Sequence, residues 1–380
     1  MLNTPTPGTC LLLLALASSI QLSAQDRGRI TDRNGVSVSP GTRHPTPENI
    51  PEAYPPDLAL RESRNASDHV FLEGIDADSV VLGVLEGKHH EMFGYIADVA
   101  TDGLEILYVL DSEYNEVRVF DVGGNFLGSF GGPGRGPGEF RSPREIAVSG
   151  RTAFVIDGWW VHVFERQESG FMLKDSFKKE FMGFRGNCAM NGHLYTVGYS
   201  LEEEHVIHKL TADGVRETSF AEPYSSANTS VQTLMSTDGF LVCSEKHRIV
   251  GVFMDNIPAL TAYTEHGVVA WRTRLENFRP SFMEELIDEG RAVLRQGIRS
   301  GESVLHTLFS DGADHFYLGY YTAGYDEDDY ANHIFRIDVR TGKGEHLGTG
   351  RLAALNGGSV FVTSHHPYPR VIIYKRKGAD

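Results

Sequence analysis

The sequence predicts an all-β fold built from repeated small sheets, and two observations lead to this prediction. First, a short apolar run that ends in a large side chain recurs six times, each time followed within a few residues by a turn glycine. Second, the gaps between the ends of the runs are 44, 46, 53, 74 and 37 residues, and all but the fourth are close to the ~40–50 residues that are typical of four-stranded propeller blades. The large residues that end the six runs are Phe120, Phe164, Leu210, Tyr263, Ile337 and Tyr374.

The strands around each run predict a six-bladed β-propeller of four-stranded antiparallel blades. An apolar strand precedes every run, for example residues 106–110 in the first repeat and residues 240–243 in the fourth. A further strand follows each of the first five runs, but none follows the sixth. A spare strand lies at the other end of the repeats, at residues 79–85. We expect this N-terminal strand to close the last blade as its outer strand, because closure removes an unpaired sheet edge.

One gap between repeats is longer than the others and predicts one helical insertion. Ser281 and Glu284 form a capping box, and Phe282, Leu286 and Val293 lie on an apolar stripe with helical spacing. We therefore expect a helix at about residues 281–297, packed against the outside of the propeller.

The N-terminal residues predict export and three segments. Residues 1–24 contain no charged side chain and hold an apolar core followed by small residues, which is typical of a signal peptide. Residues 25–69 are polar and Pro-rich and predict a flexible arm, and residues 70–380 hold the propeller. The expected location is therefore secreted, periplasmic or cell-envelope. In such an oxidising compartment Cys188 and Cys243 either form a disulfide or remain two single thiols.

The charge balance limits the class of partner. The chain has 51 Asp and Glu against 35 Lys and Arg, for a net charge of −16. This balance argues against nucleic acid and against anionic lipid, both of which need clustered basic side chains. A cationic ligand or a metal fits it better. After residue 24 no apolar stretch reaches the ~18 residues of a spanning helix, so we expect no membrane span.

A glycine-rich phrase early in the repeats is similar to that of a known family. The phrase Gly-Arg-Gly-Pro-Gly-Glu-Phe-Arg-Ser-Pro at 134–143 is accompanied by Leu-Tyr-Val-Leu-Asp at 107–111 and Val-Arg-Val-Phe-Asp at 117–121. These residues resemble the bacterial secreted six-bladed β-propeller proteins related to NHL repeats, specifically over residues 95–164. The resemblance implies the propeller fold and an exported protein. It also implies an alternative activity, because some relatives are metal-dependent lyases and lactone hydrolases whose ligands are scattered one per blade.

The loops at one end of such a propeller contain the candidate binding residues. We expect loops between blades to share a face with loops between each blade's second and third strands, here including residues 245–248. Two alternatives stay open for the adjacent Trp159 and Trp160: one of them caps the mouth, or one is core and one surface. Arg135 either pairs with Glu139 to fix its loop or contacts a ligand. The predicted binding residues are Arg135, Trp159, Trp160, Tyr199, Tyr325, His365, His366 and Tyr368.

The sequence contains no local signature of catalysis. It has no Gly-x-Ser-x-Gly elbow, and Pro133 and Pro137 remove N–H donors that a phosphate cradle would need. The histidines 365–366 and the acidic residues 326–329 fit surface residues better than metal ligands. We therefore expect a monomeric, non-catalytic binding or scaffold protein that engages a small molecule or another protein at one mouth, with no cofactor. The alternative is a metal-dependent lyase or lactone hydrolase with Ca²⁺ or Zn²⁺ in the channel.

Overall fold

The structure is a computed structural model, and it describes most of the chain from residue 75 onward. The described residues are 30–31, 37–38, 42–43, 75–103, 105–181, 183, 185–226, 229–288, 291–298, 301–323, 330–348, 354–356 and 359–376. The predicted signal peptide, most of the predicted arm and Tyr325 lie outside the described residues.

Six sheets of four antiparallel strands form the blades, in chain order. Three short strands precede them: β1 (Ile30–Thr31), β2 (Ser37–Val38) and β3 (Thr42–Arg43). Then follow β4 (Ile75–Leu82) and blade one, β5 (Ile96–Thr101), β6 (Ile106–Asp111), β7 (Glu116–Asp121) and β8 (Phe126–Gly131). Blade two is β9 (Pro143–Ser149), β10 (Thr152–Asp157), β11 (Trp160–Gln167) and β12 (Gly170–Lys178).

The later blades repeat the same meander. Blade three is β13 (Asn187–Met190), β14 (His193–Val197), β15 (Ile207–Leu210) and β16 (Arg216–Phe220), followed by helix α1 (Thr229–Thr237). Blade four is β17 (Gly239–Ser244), β18 (Ile249–Met254), β19 (Ala259–Thr264) and β20 (Val269–Arg274), followed by β21 (Phe282–Asp288) and β22 (Arg291–Gly297). Blade five is β23 (Ser303–Ser310), β24 (His315–Ala323), β25 (Tyr330–Asp338) and β26 (Gly344–Gly348). Blade six contains β27 (Ala354–Asn356), β28 (Ser359–Ser364) and β29 (Arg370–Arg376).

The ring closes as the sequence predicted. β4 pairs antiparallel with β29, with Leu82 opposite Val371 and Val80 opposite Ile373, so it is the fourth strand of blade six. The innermost strands β5, β9, β13, β17, β23 and β27 contact one another in turn, and β27 contacts β5 again. Apolar side chains fill the spaces between blades; Tyr108 and Phe130 of blade one, for instance, share a cluster with Val155 and Phe164 of blade two. The six-bladed prediction is confirmed.

The insertion between blades four and five is a β-hairpin, so the helix predicted at 281–297 is wrong. β21 pairs antiparallel with β22, and β3 pairs with β21 opposite Glu284 and Glu285. Only Glu289 and Gly290 separate the two hairpin strands. In the predicted helix Gly290 would stand near the middle, where a glycine costs about 1 kcal/mol. The helix of the described chain, α1, lies instead between blades three and four.

Blade four also has a different strand order from the one predicted. Residues 240–243 belong to β17, the innermost strand, and the second strand is β18. The loop 245–248 therefore joins the first and second strands and lies at the end opposite to the predicted one. The reason is that β18 is apolar throughout and the loops on either side are only about four residues long, within the usual hairpin range.

A disulfide joins two neighbouring innermost strands. Cys188 of β13 bonds to Cys243 of β17, with 5.6 Å between their Cα atoms. This decides between the two alternatives that the sequence left open, and it links blade three to blade four on the wall of the central channel.

Candidate functional site

The central channel is the candidate site. It has a volume of about 450 Å³ and is lined by the innermost strands of blades one to five together with Thr363 and His365 of blade six. We call the end where the innermost strands begin the upper mouth. The loops between blades and those between second and third strands meet there, since Gly132 N–H donates to Asn115 O at 2.7 Å. This is the shared face that the sequence predicted for these two loop classes.

Three polar residues occupy equivalent positions in blades one, two and three. Asp98, Glu145 and Asn187 each stand opposite the next-to-last residue of the second strand of their blade. All three line the channel. Because each innermost strand contacts the next, this equivalence places them side by side on the wall near the upper mouth. We call them the polar arc.

Asp98 is held by backbone donors and has a strongly perturbed acidity. The N–H groups of Ile146 and Val99 donate to its two carboxylate oxygens, each at 2.8 Å. Burial raises the pKa of Asp98 to about 7, and the neighbouring charge of Glu145 contributes to this rise. At neutral pH Asp98 is therefore partly protonated.

Glu145 joins Asp98 to the third member of the arc. Its carboxylate accepts from Gly186 N–H at 3.2 Å and from the Asn187 side-chain amide. Burial raises the pKa of Glu145 as well, although these hydrogen bonds and the nearby Lys179 act in the other direction. Lys179 is only 4% exposed, and burial lowers the pKa of its ammonium group.

The arginine nearest to the arc is already engaged. Arg185 forms a two-point contact with Asp238 at 2.9 and 3.0 Å, and it also pairs with Asp255. Its guanidinium lies 4.9 Å from the centre of the Phe240 ring. Burial raises the pKa of Asp255 to about 7 against the effect of Arg185. In the described part of the chain, no basic side chain forms a salt bridge with Asp98 or Glu145.

Two further acceptors on the channel wall have no donor among the described residues. Thr307 of β23 lines the channel and is 9% exposed, and its hydroxyl forms no hydrogen bond within the described chain. The side-chain oxygen of Asn187 is buried and also has no partner there. Both oxygens are therefore suited to accept a hydrogen bond from a bound group.

Aromatic and imidazole rings stand at the upper mouth. Tyr95 and His365 stack with ring centres 4.7 Å apart and planes 20° apart. His365 lines the channel, and Tyr95 is 54% exposed. His366 is exposed, while Tyr368 is partly buried, with the Arg370 guanidinium 5.5 Å from its ring centre.

The other predicted site residues are placed differently from one another. Trp159 and Trp160 are 46% and 43% exposed, so the alternative that one of them is core is wrong. The expected alternation of the two side chains between opposite faces holds only in an extended strand. Trp159 lies in the turn before β11, so this alternation does not apply to it. Tyr199 is 3% exposed within the core of blades three and four, so it is not accessible to a ligand, and that prediction is wrong. Arg135 is exposed at the upper face, and Tyr325 lies outside the described residues.

The glycine-rich phrase is a structural loop. The Glu139 carboxylate accepts from the backbone N–H groups of Arg135 and Gly136, at 2.9 and 2.7 Å. It forms no ion pair with the Arg135 guanidinium in the described structure, so the predicted ion pair is wrong. A Cβ on Gly134 would overlap this carboxylate, so the Glu139 side chain would have to leave its two backbone donors to make room. Phe140 is fully buried and carries the chain into blade two.

The aspartates that end the second strands of blades one and two are also structural. Asp111 accepts from the N–H groups of Gly94 and Tyr95, and Asp157 accepts from those of Arg141 and Ser142. In each blade the acceptor fixes the loop that leads into the innermost strand. The aspartate that ends this strand in the family motif therefore holds the backbone of a neighbouring loop in place.

Sequence reasoning missed the polar arc. Asp98 and Glu145 are the acidic residues of their strands, each at the third position, of β5 and of β9. Aligning the repeats on their second strands would have placed the two carboxylates at one level of the channel. That recurrence of an acidic residue at one position of two neighbouring blades was the available signal.

Comparisons with known proteins support the fold. Residues 80–159 match a family, DUF5128, that is described as a 6-bladed beta-propeller. A solved structure from Bacteroides fragilis NCTC 9343, named as an exported protein, has a TM-score of 0.52 at 10% identity over 84% of this chain and 99% of its own. A DUF4221 family member from Bacteroides vulgatus ATCC 8482 has a TM-score of 0.53 at 6% identity over 79% of this chain and 97% of its own. No curated protein matches the chain by sequence.

These findings confirm the resemblance to bacterial six-bladed propeller proteins, and at such identities they concern the fold alone. Within the described ranges, no group of three or more His, Cys, Asp or Glu is placed to hold a metal ion. The metal-dependent alternative therefore rests on the resemblance alone. No helix in the same ranges has the length and apolar character needed to cross a membrane.

Proposed function

We propose that this chain is an exported binding propeller that takes a small ligand, or the protruding end of a larger one, into its central channel through the upper mouth. The observation that carries this proposal is the polar arc: two carboxylates and an amide side by side on the wall of a channel space of about 450 Å³. Such a volume lies in the usual range of ligand cavities, and perturbed titratable groups in a cavity favour a functional site.

Export is supported by two separate observations. Residues 1–24 have the charge-free, apolar composition of a signal peptide. One structural relative of the same fold is named as an exported protein. A secreted, periplasmic or cell-envelope location fits both.

The exposed residues of the upper face are proposed as outer contacts. The stacked Tyr95 and His365 stand where a ligand enters the channel. Around them, Arg135, Trp159 and Trp160 offer one cation and two half-exposed aromatic rings, as binding surfaces often do. His366 and Tyr368 belong to the same loop as His365. A partner larger than the channel would contact these residues while one of its groups enters.

The test is a ligand screen by thermal shift, because a ligand that binds the native state raises its apparent stability by about 2.7 kcal/mol at 100 times its Kd. The screen uses amines, carboxylates, sugars and short peptides on the mature protein. Thr363→Trp places a large ring in the channel beside His365, and Ser169→Trp places the same ring in an exposed turn as the control.

We expect at least one compound class to stabilise the wild type and Ser169→Trp but not Thr363→Trp. Equal stabilisation of all three proteins, or of none, would contradict channel binding.

A further inference from the structure

We propose that the channel binds an organic cation, a protonated primary amine or a guanidinium group, between Asp98 and Glu145, and that binding releases a proton from this pair. The inference rests on the proposed function and names the chemical class of its ligand. It follows from the arrangement of the polar arc, from the unpartnered acceptors on the channel wall and from the charge around it.

The first step is a pair of buried acids that forms no salt bridge in the described chain, although the charges of Lys179 and Arg185 lie close enough to lower the pKa of Glu145. Asp98 and Glu145 both face the channel from equivalent positions of adjacent blades. Their hydrogen bonds come from backbone N–H groups and the Asn187 amide, which are neutral donors. Arg185 is committed to Asp238 and Asp255. A buried pair of acids without a salt bridge to a basic side chain is costly, and a bound cation offsets that cost.

The second step concerns the acceptors that need a donor. The Thr307 hydroxyl, nine-tenths buried on the channel wall, has no hydrogen-bond partner in the described chain. The buried Asn187 side-chain oxygen has none either. With the free lone pairs of the two carboxylates, the wall is rich in acceptors. Ammonium and guanidinium groups carry three and five N–H donors and no acceptor, so they complement this wall.

The third step is the path to the pair. The net charge of −16 attracts cations towards the protein. At the upper mouth the stacked Tyr95 and His365 border the entrance, and the face of an aromatic ring attracts a passing cation. A space of about 450 Å³ is also much larger than one metal ion needs, and it fits an organic molecule.

The proton release follows from the state of the free pair. Asp98 has a pKa of about 7, so below that pH it carries a proton that a cation displaces to solvent. The titratable and charged groups around it are Glu145 from β9, Lys179 and Arg185 from the loop between blades two and three, His306 from β23 and His365 after β28. β27 contributes none. We therefore expect affinity for a cation to rise about tenfold per pH unit below pH 7 and to level off above it.

The experiment is isothermal titration calorimetry of the mature protein with agmatine, which carries both cationic groups, and with the neutral N-butylurea. Each titration is repeated at pH 6 and pH 8 in two buffers of different ionisation enthalpy, which yields the number of protons released. We expect agmatine to bind with release of close to one proton at pH 6 and close to none at pH 8. N-butylurea should not bind measurably.

Variants locate the effect. Asp98→Asn and Glu145→Gln should each weaken agmatine at pH 8 about tenfold or more, and Asp98→Asn should abolish proton release at pH 6. Thr307→Val should weaken agmatine about threefold to tenfold. Glu168→Gln, an exposed acid in the turn before β12, is the matched control and should leave binding unchanged. Should one acidic variant fail to fold, the other and Thr307→Val still decide the result.

Agmatine binding that is equal in all variants, or that releases no proton at pH 6, overturns the inference. If agmatine does not bind while a neutral compound stabilises the wild type but not Thr363→Trp, the inference fails and the proposed function stands. If no compound separates the wild type from Thr363→Trp, both fail.

Discussion

The glycine-rich loop at 131–140 and the channel wall differ in how easily each can be recognised from the sequence. The loop is conspicuous, because a tight backbone path needs rare glycines and prolines together. The wall is inconspicuous, since its polar residues are scattered singly over several mostly apolar strands that lie far apart in the chain. Yet the loop's polar groups satisfy its own backbone, whereas Asp98 and Glu145 form no salt bridge with a basic side chain of the described chain. The glycines and prolines that stand out in the sequence serve the backbone geometry of their loop. The candidate site, in contrast, is formed by residues that lie far apart in the chain.

The largest effect should come from the loop's anchor. Phe140 is fully buried and packs against Phe164 with ring centres 5.9 Å apart. Phe140→Ala should lower the free energy of unfolding by about 3–5 kcal/mol, because it removes a buried ring and leaves a cavity. Urea denaturation measures this value. A loss below about 1 kcal/mol would mean that the loop is not a structural anchor.

The next effect concerns the wall's own covalent link. Replacing both Cys188 and Cys243 by Ser should lower the free energy of unfolding by about 2–4 kcal/mol, since the unfolded chain loses a constraint. Chemical denaturation under non-reducing conditions, with the wild type in parallel, measures the difference. If the double variant is as stable as the wild type, the link between blades three and four contributes nothing to the fold.

The polar arc should make stability depend on pH. The folded protein holds the Asp98 proton up to about pH 7, whereas the unfolded chain loses it near the ordinary value of 3.8. Stability is therefore lost as pH rises between these values, by at most about 4 kcal/mol at 1.36 kcal/mol per pKa unit. Asp98→Asn should remove this part of the fall between pH 5 and pH 8.

Urea denaturation at four pH values tests this dependence. Asp255, whose pKa is also raised to about 7, continues to contribute in the variant. The fall should therefore become smaller but not disappear. If the free energy of unfolding falls with rising pH equally in the variant and the wild type, the pKa of Asp98 is not raised by folding. The channel wall would then not differ from the loop in its electrostatics.

The smallest effects separate the backbone from the side chain of Arg135. Glu139→Gln should cost about 0.5–1.5 kcal/mol, because the carboxylate accepts two backbone N–H groups. Arg135→Ala should change the free energy of unfolding by less than about 0.5 kcal/mol, since its exposed guanidinium forms no ion pair with Glu139. Equal losses in the two variants would restore the ion pair that the sequence suggested.

The repeats made the propeller, its six blades and its closing strand predictable. Apolar runs with period two and a fixed spacing carry that information locally. The hairpin at 282–297 was not predictable in the same way, because its apolar residues fit both a helical stripe and a strand. β18 was missed because a strand buried on both faces lacks the alternation that marks the others.

The site was harder to predict for a different reason. Asp98, Glu145, Asn187 and Thr307 come together only through the closure of the ring, and no two of them are close in sequence. The disulfide likewise depends on which innermost strands become neighbours. Exposed aromatic residues such as Trp159 were found because they are rare, and the predicted Tyr199 is buried for the packing of blades three and four.

The most direct test of the account is the pKa of Asp98 in the mature protein, measured by carboxyl carbon NMR with labelled aspartate and assigned with Asp98→Asn. We predict a pKa of about 7 in the free protein, and a value at least about two units lower with saturating agmatine. A pKa near 4 that agmatine does not change would contradict the claim that the channel wall, and not the glycine-rich loop, is the binding site.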